Sequence, residues 1–309
     1  MMTGHFFYSV SNILMEDFKM INENIEHQKK HAFDTENMKM ANINDIRLAY
    51  EIHGTGDIPL VMVHGSWVSC RNWDQMLPHL VESVRVVTYD RRGHGESEKP
   101  VGQGSVREDV ADLASLIEHL GLAPVWVAGQ SFGGSITLRL AAERPDLLRG
   151  IIAHEPPLFS LVADDPSVAP MLKGFAQLIA AVTERIASGD HAGAAEQFIE
   201  EGLGEGLWAK LPPWFRHMMS EHATTYLDET NDPEVLAFDL ERIRGFTRPA
   251  LLTLGDQTAP VFPPVITKLD EAMPSAEVNR FRGAGHPIMV ERPKDFAQAI
   301  TNFIHYNSK

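Results

Sequence analysis

Three residue types that together carry out acyl transfer stand at well-separated points of the chain. Ser131 lies in Gly129-Gln130-Ser131-Phe132-Gly133, a G-x-S-x-G pattern followed by Gly134. The pattern alone is common, but its context is specific. It follows the apolar run Val125 to Ala128 and precedes a helical stretch from Ser135 to Arg144, the strand–turn–helix setting that such a serine needs. Flanking glycines let neighbouring chains approach without a Cβ clash. The turn would hold the serine Oγ clear of the sheet, at a helix N-terminus whose dipole favours negative charge. His286, in Gly283-Ala284-Gly285-His286-Pro287, follows the last apolar strand. It comes after the nucleophile and the candidate acids in chain order, as the base of such a site does. A histidine that takes the serine proton lets Oγ attack an acyl carbon and form a covalent intermediate.

A third group must accept a hydrogen bond from His286 Nδ1–H and stabilise the imidazolium. Two positions compete for it. Glu155 directly follows the strand Gly150 to His154, which puts it at the active-site edge of the sheet. Asp256 follows the strand Ala250 to Leu254. The developing oxyanion needs donors placed in advance. Phe132 N–H, on the residue after the nucleophile, is one candidate. The second comes from His64-Gly65-Ser66-Trp67, with Ser66 N–H preferred and Trp67 as the alternative. His64 precedes the nucleophile and is expected to be a structural loop histidine. The single cysteine, Cys70, has no activating partner nearby in sequence. It cannot form an internal disulfide, which fits a reducing, cytoplasmic setting.

Positioning these side chains requires a scaffold, and the hydrophobic pattern outlines one. Ile46 to His53 alternates as a half-buried strand. Pro59 to Val63, Val84 to Tyr89, Val125 to Ala128, Gly150 to His154, Ala250 to Leu254 and Glu277 to Phe281 read as buried strands. Ser105 to Leu120 reads as a helix with a Ser105–Glu108 capping box and a Gly121 stop, and Lys294 to His305 as a closing helix. Alternating strands and helices predict an α/β fold with a mostly parallel sheet flanked by helices. Residues 155–247 break the alternation with a helical pattern and predict an inserted cap, or lid, between core segments 40–154 and 248–309. The cap carries Trp208, Trp214, Phe215, Met218, Met219 and Phe238, which either pack a small helical core or line an apolar pocket. Trp67, Trp208, Trp214 and Phe215 are the candidate substrate contacts. Gly202-Leu203-Gly204-Glu205-Gly206 links no strand to a helix and is expected to be a loop rather than a dinucleotide site.

Residues 1–39 are rich in Met, Asn, Glu and Lys and lack the apolar core of a signal peptide. They predict a disordered or weakly helical extension. A net charge of −15 argues against a broad basic surface for nucleic acid or anionic membrane. No apolar run reaches the length of a membrane span. The expected partner is a small-molecule substrate, and the sequence leaves the oligomeric state open.

From about Met40 to Ile304 the chain resembles the α/β-hydrolase superfamily. Four segments carry the resemblance: His64-Gly65-Ser66-Trp67, Asp90-Arg91-Arg92-Gly93-His94-Gly95-Glu96-Ser97, Gly129 to Gly134, and Gly283-Ala284-Gly285-His286. The resemblance implies the α/β-hydrolase fold and a lidded esterase- or lactonase-like serine hydrolase that uses no cofactor and no metal. It also implies a structural, sheet-bracing role for the Asp90 loop. Haloalkane dehalogenases and epoxide hydrolases of that superfamily use aspartate where this chain has Ser131, which disfavours both. The usual acid loop, Gly-x-x-Asp, is altered here to Gly255-Asp256-Gln257-Thr258, with threonine at the acid position. The zearalenone lactonase-like group places a glutamate acid in a His-Glu-x-Pro context, which His154-Glu155-Pro156-Pro157 resembles. Ester or lactone hydrolysis is therefore the leading expectation. Cleavage of a C–C bond, or a cofactor-free perhydrolase reaction, would use the same residues. A non-catalytic ligand receptor is disfavoured because both Ser131 and His286 are present.

Overall fold

The computed structural model describes residues 37–309 except 203–205, 207, 212, 236 and 309; the side chains of Lys210 and Trp214 also lie outside it. The expectations for the N-terminal extension, for most of the Gly202–Gly206 stretch and for Trp214 as a substrate contact therefore concern residues or side chains that are not described. Eight strands form one sheet: β1 (Lys39–Ile43), β2 (Ile46–His53), β3 (Pro59–Val63), β4 (Arg85–Tyr89), β5 (Val125–Gln130), β6 (Leu148–His154), β7 (Ala250–Gly255) and β8 (Ala276–Phe281). Their order is β1-β2-β4-β3-β5-β6-β7-β8. The pairs β1/β2 and β2/β4 are antiparallel and the rest are parallel.

The inner strands are mostly apolar because both faces are covered. Val61, Val63, Val127, Ile151 and Leu252 face one layer, which holds α1 (Val106–His119), α2 (Phe132–Glu143) and a later helix, Phe262–Ala272. Leu60, Met62, Trp126, Ile152 and Leu251 face the other, against the C-terminal helix Pro293–Asn307 through Phe296, Ile300, Phe303 and Ile304. The expected helix boundaries hold at the capping box, where Ser105 Oγ accepts from Glu108 N at 3.3 Å and donates to Glu108 Oε2 at 2.9 Å.

Strand β1 and a helix after β7 are among the elements that escaped the sequence reading. Strand β1 buries only Ala41 and Ile43 and turns into β2 through Asn44 and Asp45, both at positive φ, as the hairpin turns that match strand twist require. The helix Phe262–Ala272 begins with Pro263 and Pro264, which are tolerated only because a helix's first turn has no intrahelical N–H partners.

Between β6 and β7 the chain builds a helical cap from α3 (Ala169–Ala187), α4 (His191–Gly202), α5 (Pro213–Glu221) and α6 (Ala223–Asn231). Its own apolar cluster joins Leu178, Val182, Ile199, Met219 and Tyr226 to Trp67 of the core. Among the described residues, no helix is long and apolar enough to cross a membrane.

Candidate active site

Ser131 sits between the end of β5 and the first turn of α2, with φ 54° and ψ −123°. A non-glycine residue in this region stores roughly 1–3 kcal/mol of strain. The surroundings enforce it. Ser131 N donates to His154 O at 2.9 Å, and Ser135 N donates to Ser131 O at 3.1 Å. A Cβ on Gly129 would collide with Gly133 O, and one on Gly133 with Val63 O. Glycine is therefore needed at both positions by close approach of backbone to backbone. Phe132, the first residue of α2, has a backbone N–H at a helix start, where no intrahelical acceptor is available.

Sheet register brings Glu155 alongside. Gln130 is paired with His154 across β5 and β6, so Ser131 and Glu155 leave neighbouring strand ends together. Glu155 has φ 43° and is fully buried. Its carboxylate takes three donors: Gly255 N to Oε1 at 2.8 Å, Thr258 Oγ1 to Oε2 at 2.7 Å, and His286 Nδ1 to Oε2 at 2.6 Å. Burial disfavours the ionised form, but the hydrogen bonds from His286 and Thr258 and the neighbouring imidazoles outweigh it. They hold the carboxyl below its ordinary range. Asp256 does something else. It is exposed, and its Oδ1 accepts from Gly283 N at 2.7 Å, bracing the loop that carries His286. Thr258, at the position where the resemblance led one to expect an aspartate, donates to the glutamate instead.

His286 is fixed on every side. Its ring stacks on Phe262, with centroids 4.9 Å apart and planes 17° from parallel. Its backbone carbonyl lies 3.2 Å from His154 Nε2. Burial pushes the His154 imidazole down to about 4, so it is neutral at physiological pH. Since Nδ1–H of His286 donates to Glu155, Nε2 carries the lone pair, and Gln130 Nε2 stands 3.1 Å from it.

Around this centre the aromatic residues differ from those the sequence pointed to. Phe159 packs on Phe262 at 5.5 Å and on Phe175 at 5.4 Å, forming a wall that continues the Phe262–His286 stack. Trp67 is 2% exposed, at φ 66°, and packs on Tyr226 and Phe198 of the cap. Trp208 and Phe215 pack against the same cap cluster, with Arg216 over the Trp208 ring. Helical periodicity cannot separate a residue packed within the cap from one facing the site. The signal for Phe159 was its position shortly after Glu155 on the way into the cap.

The polar loops around His64 and Asp90 are buried scaffolding. His64 is fully buried. Its Nδ1 lies 2.9 Å from Gly65 O, and its Nε2 accepts from Arg91 N at 3.0 Å. Burial, with the Arg91 charge beside it, keeps it neutral. Asp90 accepts from Cys70 N at 2.7 Å and Glu96 N at 2.9 Å, tying two loops together. His222, at the start of α6, accepts from Gly95 N through Nε2 at 2.8 Å.

Burial pushes His222 down to about 4, and the cationic Arg91 and Lys99 add to this. In the unfolded chain the imidazole takes up its proton near its ordinary pKa of 6.5. Its contribution to stability is therefore complete above that pH and is lost as pH falls from 6.5 toward 4. A glutamine retains an acceptor without the titration. The Tm advantage of wild type over His222→Gln should shrink steadily between pH 7 and pH 4.5 in calorimetry. A gap that does not change with pH would mean His222 titrates alike in both states.

Residues 60–299 match the profile described as the Alpha/beta hydrolase family, which covers most of the chain. The protein belongs to that family and is a hydrolase. It is 26% identical over 268 residues to a pimeloyl-[acyl-carrier protein] methyl ester esterase of Yersinia pseudotuberculosis, covering 83% of this chain and 96% of the relative. It is 25% identical over 280 residues to an sn-1-specific diacylglycerol lipase of Mus musculus, covering 85% and 87%. Among solved structures, a malate-bound thermophilic esterase from Thermogutta terrifontis superposes with a TM-score of 0.69 at 22% identity, covering 88% of this chain and 99% of that one.

Proposed function

We propose that the protein hydrolyses a carboxylic ester or lactone of a small, largely apolar substrate through an acyl-enzyme at Ser131. The observation that carries this is the 2.6 Å contact of His286 Nδ1 with the buried Glu155 carboxylate, beside a serine held at φ 54°. In this reading His286 Nε2 exchanges its Gln130 contact for Ser131 Oγ and takes its proton. Oγ attacks the acyl carbon, and the oxyanion is met by the N–H groups of Phe132 and Ser66. The imidazolium then protonates the leaving alcohol. Water, deprotonated by His286, releases the acid. Glu155 stays ionised throughout and holds the imidazole in the required tautomer. The names of the methyl ester esterase and the lipase support ester chemistry. The lone, buried Cys70 supports a cytoplasmic setting.

Turnover of p-nitrophenyl esters from acetate to octanoate, with fluorophosphonate labelling of Ser131, is the direct test. Absence of both would sink the reading. The Phe159–Phe175–Phe262 wall leads us to expect neutral apolar acyl groups to be preferred over charged ones. Phe159→Ala should lower kcat/KM for the longest accepted acyl chain about tenfold, as loss of apolar contact area does. It should affect acetate little. A screen led by dianionic or cationic esters would contradict this.

A further inference from the structure

A buried ion-pair cluster joins the cap to the loop that supplies the oxyanion donor. Arg91, 1% exposed, donates from Nη2 to Glu229 Oε1 at 2.5 Å and to Gly65 O at 3.1 Å, and from Nη1 to Asp109 Oδ2 at 3.1 Å. Its guanidinium also lies 4.7 Å over the Phe132 ring. Glu229, on α6 of the cap, takes a second hydrogen bond at Oε2 from Ser66 Oγ at 2.5 Å. Asp109, on α1, is the other carboxylate facing Arg91. His94 Nε2 also approaches Arg91 Nη2, at 3.3 Å.

The geometry has a direct consequence for catalysis. Gly65 C=O and Ser66 N–H belong to one peptide unit. That unit is planar and trans, so its oxygen and hydrogen point in opposite directions. Two donors hold the oxygen end, Arg91 Nη2 and His64 Nδ1 at 2.9 Å. Fixing the oxygen on the buried side aims the Ser66 N–H the other way. A cationic donor on the carbonyl also polarises the peptide and strengthens that N–H as a donor. Glu229 completes the arrangement from outside the core, because it fixes the Arg91 guanidinium with one oxygen and the Ser66 hydroxyl with the other. The next residue, Trp67, is held at φ 66° and packs on Tyr226, one turn from Glu229 on the same helix.

We propose that Glu229 is a positioning residue of the oxyanion hole, supplied by the cap, so that the Ser66 donor is aimed only when α6 is docked. The proposal rests on the hydrolase reading above and deepens it. Lid closure and transition-state stabilisation become one event: a substrate that leaves the cap displaced is bound without a formed hole. The face of α6 that does this is visible in its spacing. His222 accepts from Gly95 N, Thr225 Oγ1 lies 3.0 Å from His94 Nε2, and Glu229 reaches Arg91 and Ser66. These positions lie along one side of the helix.

The test compares wild type with Glu229→Gln, Ser66→Ala and the double variant on p-nitrophenyl butyrate. Removing a whole oxyanion donor costs roughly 10²–10³ in kcat, so mis-aiming one should cost about tenfold or more. Glu229→Gln should lower kcat by that factor while KM stays within about threefold. The inhibition constant of an alkyl trifluoromethyl ketone, whose serine hemiketal places an oxyanion in the hole, should rise in parallel with the loss in kcat. The matching methyl ketone should bind unchanged. Adding Ser66→Ala to Glu229→Gln should cost less than it does alone, because the two share one hydrogen bond. Ser66→Ala alone leaves the Arg91–Glu229 pair in place. It should show the same kcat and inhibitor pattern more weakly, so the test does not depend on Glu229→Gln folding. A rise in KM with kcat and trifluoromethyl ketone affinity intact would reduce Glu229 to a cap-packing residue and overturn the proposal. So would unchanged kinetics in both single variants. Wild-type protein without turnover or Ser131 labelling would overturn the hydrolase reading and this proposal together. Active, labelled wild type with insensitive variants would overturn this proposal alone.

Discussion

Ser131→Ala should lower kcat on any accepted ester by roughly 10³-fold or more, leaving the residual catalysis that binding and the oxyanion donors provide. The loss is expected to be this large because the attacking atom itself is removed and the single thiol of the chain cannot stand in. Cys70 is buried, and burial, with the nearby Asp90 carboxylate, pushes its thiol well above the ordinary range. The fold should survive. Ser131 is held at φ 54° by Ser131 N–His154 O and Ser135 N–Ser131 O, and alanine can make both backbone bonds. Ser131→Gly should go further. Glycine adopts this region without a Cβ penalty, so the variant should be inactive yet raise the unfolding free energy by about 1 kcal/mol. Equilibrium denaturation of the three proteins, alongside kcat, separates the two effects. An active Ser131→Ala enzyme would end the acyl-enzyme reading. A Ser131→Gly variant less stable than wild type would mean that the turn is not strained.

How much of this could be read from the chain depends on which signals are local. The inner strands were legible because a strand buried on both faces is mostly apolar: Pro59–Val63 is apolar throughout, and Ala250–Gly255 departs only at the buried Thr253, whose Oγ1 lies 2.9 Å from His154 Nδ1. Ser131 was legible because a strained strand-to-helix turn demands glycine on either side, and Gly129 and Gly133 have no room for a side chain. Strand β1 was not, because an edge strand of five residues that buries only Ala41 and Ile43 has too little hydrophobic pattern to show. The cap was legible as helical but not residue by residue. Trp67 and Trp208 were expected at the substrate, yet both belong to the cluster that holds the cap together. Large aromatic residues fill an internal core and line a pocket equally well, and only the tertiary arrangement separates the two. Glu229 was invisible for a related reason. Its partners Arg91 and Ser66 lie far away in sequence, and an isolated glutamate on a helix reads as a solvated charge until the fold buries it.

Glu155→Gln is the second large effect expected, at roughly 10³–10⁴ in kcat, as loss of the acid costs in serine hydrolases. The argument is one of donors and acceptors. Glu155 receives three: Gly255 N–H on Oε1, and Thr258 Oγ1–H and His286 Nδ1–H on Oε2. A carboxylate accepts all of them. A glutamine has one acceptor oxygen and an NH₂ that only donates. If that oxygen faces His286, the amide NH₂ confronts Gly255 N–H, and a buried donor is left unsatisfied. If it faces Gly255, the NH₂ confronts Nδ1 and forces the proton onto Nε2, the atom that must accept from Ser131. The second arrangement removes the base; the first keeps the tautomer but leaves the imidazolium without a carboxylate charge opposite it. Asp256→Asn, at an exposed site that accepts from Gly283 N, keeps its acceptor and should change kcat less than about threefold. The position of Thr258 supplies the decisive variant. Its Oγ1 is 2.7 Å from the glutamate oxygen that holds His286. A carboxylate placed there after Glu155 is shortened would stand where the resemblance led one to expect the acid. Glu155→Ala with Thr258→Asp should therefore recover at least tenfold of the kcat lost in Glu155→Ala alone. No recovery, together with equal small losses in Glu155→Gln and Asp256→Asn, would mean that neither carboxylate serves His286 in turnover.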